Sequence, residues 1–451
     1  MRNRRYNTYN NPNKMKNLSI KLLLICIFFN IIQISHAQTA DGTFRLRQNA
    51  AKSIRLNSNQ NLADFLRSSA VLSELKPLVS KVGFQVFNFE NKIYEYKEGL
   101  FLKQGQFCKI FVEQEAIDKL KKAPLTYASD VSEKFDEIIY PLVAKWFGTP
   151  QIPAELNLPD NDIYIFLTEI KGQFSEGYVA GYFDHRDLEA KSGNRKPVLF
   201  MNLTGIETDN TNLKTNAFYR TLVHEFQHLT NYTLRKALNM EEQERWLDEG
   251  YSMFAEYIYS GCVGDDSQKI PPAPHLEKYL NEPNIDIVNN SETAWFKEPD
   301  LYKQYGGSFI FVAYLVEKYG GNSETLQQFF LKELVKKRDP GIAGIEHMLF
   351  CLDKSFGNLL FDFNLALTVD DPCANNGLWC FRNKVESFGE SGKLIPISSI
   401  KGTQTDQMYV LPSSFKDLSG ISTEYSAYMV QPIEIPVFEG QNIVVLKPKE
   451  P

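Results

Sequence analysis

The chain has 451 residues, of which 43% are hydrophobic and 23% are charged, and its formal net charge at pH 7 is −6. This composition is sufficient for a large folded core, and the length predicts two or three domains. An acidic chain is not attracted to nucleic acids or anionic membranes, so neither is an expected partner.

The first 37 residues have the pattern of a secretory signal peptide. A basic lead precedes an apolar run at residues 22–34, and Ser35-His36-Ala37 is typical of a cleavage site. We predict cleavage after Ala37, with Met15 as an alternative start and an uncleaved membrane anchor as the alternative outcome. Removing six of the 49 Lys and Arg residues leaves 43 against 55 Asp and Glu, a net charge of −12.

Residues 38–110 predict a small β-rich N-terminal module. Apolar residues alternate with others at Val82, Phe84 and Val86, as in a half-buried strand, and a turn is expected near Asn91. The module is either a pro-segment or an accessory domain, and the sequence does not decide between them.

The next part of the chain changes from helical to strand patterns. Apolar residues recur every three or four positions from residue 112 to 147, which predicts a helix that ends at Gly148-Thr149-Pro150. Strands are predicted at residues 163–167, 177–183 and 198–203, each bounded by Pro, Gly, Asp or Asn.

Three side chains that could bind a cation follow the second of these strands. Asp184, His185 and Asp187 could hold Ca²⁺ through their oxygens, although aspartates in loops are more often solvated turn residues. Calcium is therefore a possible cofactor without further support.

The strongest pattern in the chain is HEFQH, formed by His224, Glu225 and His228. Two histidines four residues apart lie on one face of a helix, where both imidazoles can bind one Zn²⁺ ion. Glu225 would flank a water molecule on that ion, and its carboxylate can accept a proton from the water as a general base. The pattern predicts a hydrolytic zinc site.

A catalytic zinc site needs a third protein ligand and an open position. We predict Glu249, in the helical segment RWLDEGYSMFAEY, as that ligand. Glu256 lies on the same helix face and could orient His224 or His228 through the other ring nitrogen; a solvated glutamate is the alternative. His185 is the alternative third ligand, although it lies far upstream without a partner on a helix.

HEFQH and WLDEGYSMFAEY together resemble the gluzincin zinc metallopeptidases, in which a second helix carries the glutamate ligand. WLDEG is similar to the WLNEG segment of aminopeptidase N-type enzymes, with Asp248 in place of asparagine and a spacing two residues longer. The GAMEN segment with which those enzymes bind the substrate amino terminus is missing. The hyicolysin-like secreted bacterial neutral metallopeptidases are the better match, over about residues 160–320.

The resemblance implies two further features of the site. Tyr305-Gly306-Gly307-Ser308, at the start of a helix predicted from near Tyr305 to Gly320-Gly321, resembles the segment whose tyrosine hydrogen-bonds the oxyanion. Tyr302 is the alternative, and a packing role for Tyr305 is equally open. The resemblance also implies that a sheet edge strand, here residues 177–183 or 198–203, pairs with extended substrate; an internal strand without a ligand role is the alternative.

The last third of the chain has three helical patterns and then short apolar runs. Residues 324–337, 341–352 and 356–367 suit a mostly helical second lobe. Cys373 and Cys380 flank a Gly/Asn turn and could form a local disulfide, while the odd number of cysteines after residue 37 leaves one thiol over or several unpaired. Residues 381–451 predict a β-rich C-terminal module.

We therefore expect an α+β fold, with a twisted sheet lobe and a mostly helical lobe in a catalytic domain at residues 111–380. The expected function is that of a secreted zinc endopeptidase acting on polypeptides; the alternatives are a zinc aminopeptidase and an inactive adhesin or binding protein. No membrane span is predicted after residue 37. The proposed metal ligands and catalytic residues are His224, His228 and Glu249, with Glu225 and Tyr305.

Overall fold

The computed structural model describes part of the chain in detail. The described residues are 39–41, 80–120, 123–159, 161–174, 177–189, 193–207, 212–213, 216–264, 269, 272–281, 287–288, 301–369, 374–381, 407–412, 424–427 and 441–445. The predicted signal peptide lies outside them, as does Cys373 of the predicted disulfide. No helix within these ranges is both long and apolar enough to cross a bilayer.

The predicted α+β fold is confirmed by a mixed sheet of eight strands packed against helices. The order of the strands is β1-β7-β8-β5-β4-β3-β2, and β6 pairs with β7. The strands are β1 (Thr39–Asp41), β2 (Lys81–Asn88), β3 (Ile93–Gln104), β4 (Cys108–Glu113), β5 (Ile163–Thr168), β6 (Gln173–Phe174), β7 (Gly177–Phe183) and β8 (Val198–Asn202). β4, β5 and β8 run parallel to one another, while β2 with β3, β3 with β4 and β7 with β8 are antiparallel pairs.

The predicted hairpin near Asn91 is confirmed as β2 and β3. The turn forms because the side-chain oxygen of Asn88 accepts the backbone N–H groups of Glu90 and Asn91, and Lys92 adopts a φ of 58°. β3 pairs in turn with β4, which pairs with β5. The domain boundary predicted at residue 110 therefore falls inside a strand of one continuous sheet.

The helix predicted from residue 112 begins later than expected. β4 continues to Glu113 and is buried on both faces, so its apolar residues do not alternate and its sequence is easily confused with a buried helix. The helical elements that follow are a 3₁₀ helix (Gln114–Lys119), α1 (Pro124–Lys134), a π-helix (Phe135–Ile139) and α2 (Tyr140–Trp146). Gly148, with a φ of 107°, ends this run as predicted.

The three strands predicted after residue 150 are confirmed as β5, β7 and β8. β8 ends one residue early because the side-chain oxygen of Asn202 accepts the N–H of Thr204 and starts a short helix. β8 lies between β5 and β7, so it is an internal strand. Among the described residues, β1 with its three residues is the neighbour of β7 on the other side, along Tyr178–Gly181.

The second half of the described chain is mostly helical, as predicted. Its helices are α3 (Leu203–Glu207), α4 (Ala217–Ala237), α5 (Arg245–Ser260), α6 (Ala273–Asn281), α7 (Leu301–Tyr319), α8 (Glu324–Val335), α9 (Gly341–Leu349) and α10 (Phe356–Val369). α4 packs against β7 and β8, and α5 lies between α4 and α7. Strands β9 (Gln407–Pro412), β10 (Glu424–Ala427) and β11 (Gln441–Val445) form a separate antiparallel sheet.

A buried arginine fixes the end of α4. Arg235 is 1% exposed, and its guanidinium donates to the carbonyl oxygens of Glu241, Val335, Lys337 and Arg338. Because Glu241 lies in the connection between α4 and α5, these bonds hold the end of α4 to that connection and to the segment at the end of α8. A buried charge with several carbonyl acceptors is far less costly than an unpaired one.

Gly250 allows α5 and α7 to approach closely. A β-carbon at this position would lie 2.7 Å from Val312 Cγ2 and 2.9 Å from the carbonyl oxygen of Ser308. The second contact involves backbone, which cannot move away as a flexible side chain can. The close packing of α5 against α7 therefore explains why the residue after Glu249 is a glycine.

We expect Gly250→Ala to lower the free energy of unfolding by about 1–2 kcal/mol, because overpacking outweighs the better helix propensity of alanine. Chemical denaturation of the purified protein measures this change. Gly205→Ala is the control, since its β-carbon would lie 3.2 Å from the hydroxyl of Tyr178 and 3.8 Å from Phe218, without a clash against backbone. Equal stability of the two variants would contradict the packing explanation.

Candidate metal centre

Three buried side chains from two helices converge at one point. His224 and His228 project from α4, and Glu249 projects from α5. The Nε2 atoms of the two imidazoles are 3.1 Å apart, and Glu249 Oε2 lies 3.3 Å from that of His224 and 3.2 Å from that of His228. Within the described ranges, no other group of three His, Cys, Asp or Glu side chains brings its ligand atoms together in this way.

The size and chemistry of this triangle fit a zinc ion. Two ligands at about 2.0–2.1 Å from Zn²⁺ in tetrahedral geometry are separated by about 3.3–3.4 Å, close to the three distances observed. Glu249 is fully buried, and neither of its carboxylate oxygens has a hydrogen-bond partner among the described residues. A cation in contact with Oε2 would compensate this buried charge, which is otherwise costly.

The other ring nitrogen of His224 contacts a carboxylate. Its Nδ1 lies 2.9 Å from Oε1 of Glu256, and the Nε of Arg220 donates to the second oxygen of Glu256 over 3.0 Å. Glu256 is therefore held between an imidazole and a guanidinium and is not a solvated glutamate. This contact fixes the orientation of the His224 ring, as outer partners of zinc-binding histidines commonly do.

The other ring nitrogen of His228 also contacts a carboxylate, which sequence reasoning missed. Its Nδ1 lies 3.0 Å from Oδ2 of Asp248, whose Oδ1 accepts a hydrogen bond from the side-chain amide of Asn231. Ser252 Oγ is 3.2 Å from the same Nδ1 and donates to Gln227. The indication in the sequence was that Asp248 directly precedes the predicted ligand Glu249.

The electrostatics of the cluster favour a dication. Burial disfavours the charged form of His228, but the carboxylates of Asp248 and Glu249 outweigh burial and raise the pKa of His228 to about 10. Burial likewise opposes ionisation of Glu249, yet the two imidazoles hold its pKa below its ordinary value. Because zinc binds neutral imidazole, a zinc ion at this site would compete with a proton for His228.

The predicted base is the sequence neighbour of one histidine of the cluster, and the predicted oxyanion donor lies on a different helix. Glu225 is fully buried on α4, next to His224 in the chain. Tyr305 projects from α7, and the centroid of its ring is 6.5 Å from that of His224. Tyr302 lies one turn earlier on α7 and packs against His275, with a centroid distance of 4.9 Å.

His275 is a second residue that sequence reasoning did not predict at the site. Its ring, on α6, lies 5.5 Å from that of Tyr305, and burial lowers its pKa to about 4. Its Nδ1 is buried and has no hydrogen-bond partner among the described residues. Gly306 makes the approach possible, since a β-carbon there would lie 2.2 Å from the carbonyl oxygen of His275. A lone histidine in a Pro/Asn-rich stretch carried no usable signal.

The loop after β7 does not join the cluster. Asp184 accepts hydrogen bonds from Tyr94 and Arg186, and Asp187 accepts from Asn194. These carboxylates are held by protein donors, and in the described ranges they do not converge with a third side chain that could hold a cation. His185 instead packs against Tyr232, with ring centroids 5.5 Å apart. Neither calcium binding nor a ligand role for His185 gains support.

Comparison with known proteins gives one clear similarity. No family model matches the chain. Over 256 residues the chain is 31% identical to the neutral metalloprotease ShpI of Staphylococcus hyicus. The alignment covers 55% of each chain, so this chain spans little more than half the length of that relative. The predicted relationship to neutral bacterial zinc metallopeptidases is confirmed.

Proposed function

We propose that the protein is a secreted endopeptidase that uses one zinc ion to hydrolyse peptide bonds of polypeptides. The observation that carries this proposal is the triangle of His224 Nε2, His228 Nε2 and Glu249 Oε2, which matches tetrahedral zinc with one position left open. The similarity to a neutral metalloprotease supports it. The signal-peptide pattern of residues 1–37 supports secretion.

The roles of the residues follow from their positions. A zinc ion held by His224, His228 and Glu249 would supply Lewis-acid chemistry for hydrolysis of a peptide bond. Glu225 would act as the general base that accepts a proton from the attacking water and later as the general acid that delivers it to the leaving amine. Glu256 and Asp248 hold the two imidazoles so that both Nε2 lone pairs face the same point.

The sheet offers one strand for binding of extended substrate. Both candidate strands have a neighbour on each side, but β8 lies between β5 and β7, whereas the outer neighbour of β7 among the described residues is the three-residue β1 (Thr39–Asp41), so β7 is the better candidate. β7 approaches the metal-binding helix: a β-carbon on Gly181 would lie 2.9 Å from Cγ2 of Thr221, one turn before His224. Backbone pairing along β7 is the proposed mode of substrate binding.

We expect Tyr305→Phe to lower kcat by about 10²-fold with little change in KM, because it removes a hydroxyl donor that acts on the developing oxyanion. Steady-state cleavage of a fluorogenic peptide measures both constants. Tyr302→Phe is the matched control from the same helix and should have a smaller effect. A larger loss in the Tyr302 variant would transfer the role to that residue.

The proposed function is tested by metal content and peptide cleavage together. We expect about one zinc per purified chain, cleavage of an unfolded casein, loss of cleavage with a chelator and recovery on adding zinc. A peptide with a blocked amino terminus should be cleaved equally well; a block that stops cleavage would indicate an aminopeptidase. Bound zinc without any cleavage would instead favour a binding protein.

A further inference from the structure

Two adjacent acidic residues of α5 contact opposite nitrogens of one imidazole. Asp248 Oδ2 lies 3.0 Å from Nδ1 of His228, and Glu249 Oε2 lies 3.2 Å from its Nε2. All three side chains are at most 3% exposed. The ring of His228 is thus enclosed between a carboxylate on the side of the predicted metal and a second carboxylate behind it.

We infer that Asp248 is a positioning residue for the metal, which holds His228 in the tautomer that binds zinc and increases the affinity of the site through its negative charge. The inference rests on the proposed zinc site. It concerns a residue that occupies the place of an asparagine in the similar WLNEG segment.

The hydrogen bonds around His228 determine its tautomer. Asp248 is an acceptor towards Nδ1, and Asn231 already donates to its other oxygen. The hydroxyl of Ser252 gives its hydrogen to Gln227, so towards Nδ1 it also presents an oxygen lone pair. Two acceptors near Nδ1 require the proton on that nitrogen, which leaves the Nε2 lone pair for a cation.

The two histidines differ in the partner of their carboxylate. Glu256, behind His224, is paired with the guanidinium of Arg220. Asp248 accepts a hydrogen bond from the amide of Asn231 through Oδ1, while its Oδ2 lies 3.0 Å from Nδ1 of His228. At that distance the negative charge of Asp248 acts on the imidazole and on a cation at Nε2.

Asp248→Asn tests the charge with little change of shape. The amide oxygen of the new asparagine can still accept a hydrogen bond from His228 Nδ1. Rotation of the Asn231 amide lets the oxygen of Asn231 accept a hydrogen bond from the NH₂ group of the new asparagine. We expect this variant to bind zinc about 10–100-fold more weakly than the wild type, as is typical when an outer partner of a histidine ligand is lost. Competition with a chromophoric chelator measures the affinity without reference to activity.

Three matched variants make the test specific. Asp362→Asn on α10 removes another buried carboxylate, an acceptor for Trp379 Nε1 at 2.8 Å, and should leave the affinity unchanged. Ser252→Ala should change it by no more than about threefold, since Ser252 contributes no charge. The double variant Asn231→Asp/Asp248→Asn restores the negative charge but moves it away from the imidazole. It should still bind zinc more weakly than the wild type.

The outcomes separate this inference from the proposed function. A wild-type chain that binds no zinc would refute the zinc site itself. Zinc binding of equal affinity in the wild type and Asp248→Asn would overturn the inference alone, as would an equal loss in Ser252→Ala or full recovery in the double variant. Far-UV circular dichroism of the zinc-free proteins verifies folding, and the double variant remains informative where Asp248→Asn alone does not fold.

Discussion

Replacing Glu225 by glutamine is expected to lower kcat by about 10²–10⁴-fold while zinc content stays at the wild-type level. Glutamine has the same shape but cannot accept a proton from water. Glu225 is fully buried and follows His224 in the chain, but it is not one of the three residues whose atoms form the metal triangle. The metal should therefore remain in place while the base is lost.

The measurement is cleavage of an unfolded protein by Glu225→Gln, with metal content determined on the same sample. Glu113→Gln provides the control, because Glu113 is 4% exposed but lies on β4, where it pairs with Lys97. Its activity should be close to that of the wild type. Unimpaired cleavage by Glu225→Gln with zinc bound would rule out Glu225 as the base.

Replacing Glu249 by alanine is expected to abolish stable zinc binding. Two imidazoles on one helix remain, and the loss of a direct ligand should weaken binding by more than the ~10–100-fold that follows loss of an outer partner. The side chain is fully buried and its Oε2 completes the triangle with both histidines. Cleavage should disappear together with the metal.

Thermal unfolding with and without zinc tests this second expectation. Saturating zinc at about 1,000 times Kd should stabilise the wild type by about 4 kcal/mol, whereas Glu249→Ala should show almost no zinc-dependent change. Glu256→Gln is the comparison, because it alters the partner of His224 but keeps all three ligand atoms. Wild-type stabilisation of Glu249→Ala by zinc would mean that another side chain completes the site.

The local geometry of the centre was predictable from residue spacing, because one helical turn separates His224 from His228 whatever the rest of the fold does. Glu249 required one further assumption, that the two helices pack side by side. The structure brings all three together. Glu256 contacts His224 and not His228, and residue spacing alone could not distinguish between these two histidines.

Features that depend on tertiary packing were beyond prediction. Asp248 is adjacent to a predicted ligand, but only the packing of α5 on α4 shows that it faces the back of His228. His275 reaches the site through the contact of α6 with α7 at Gly306. The misplaced helix start near residue 112 has a similar origin, since a strand buried on both faces lacks the alternation that identifies strands.

The pairing of β1 with β7 has a consequence for anything that binds along that strand. Thr39, Ala40 and Asp41 are matched with Tyr178, Val179 and Gly181. A strand edge has one set of N–H and C=O groups, so a second extended chain can take this stretch only by competing with residues 39–41 for them. Occupancy by the chain's own first residues after the predicted cleavage site and occupancy by another peptide are mutually exclusive there.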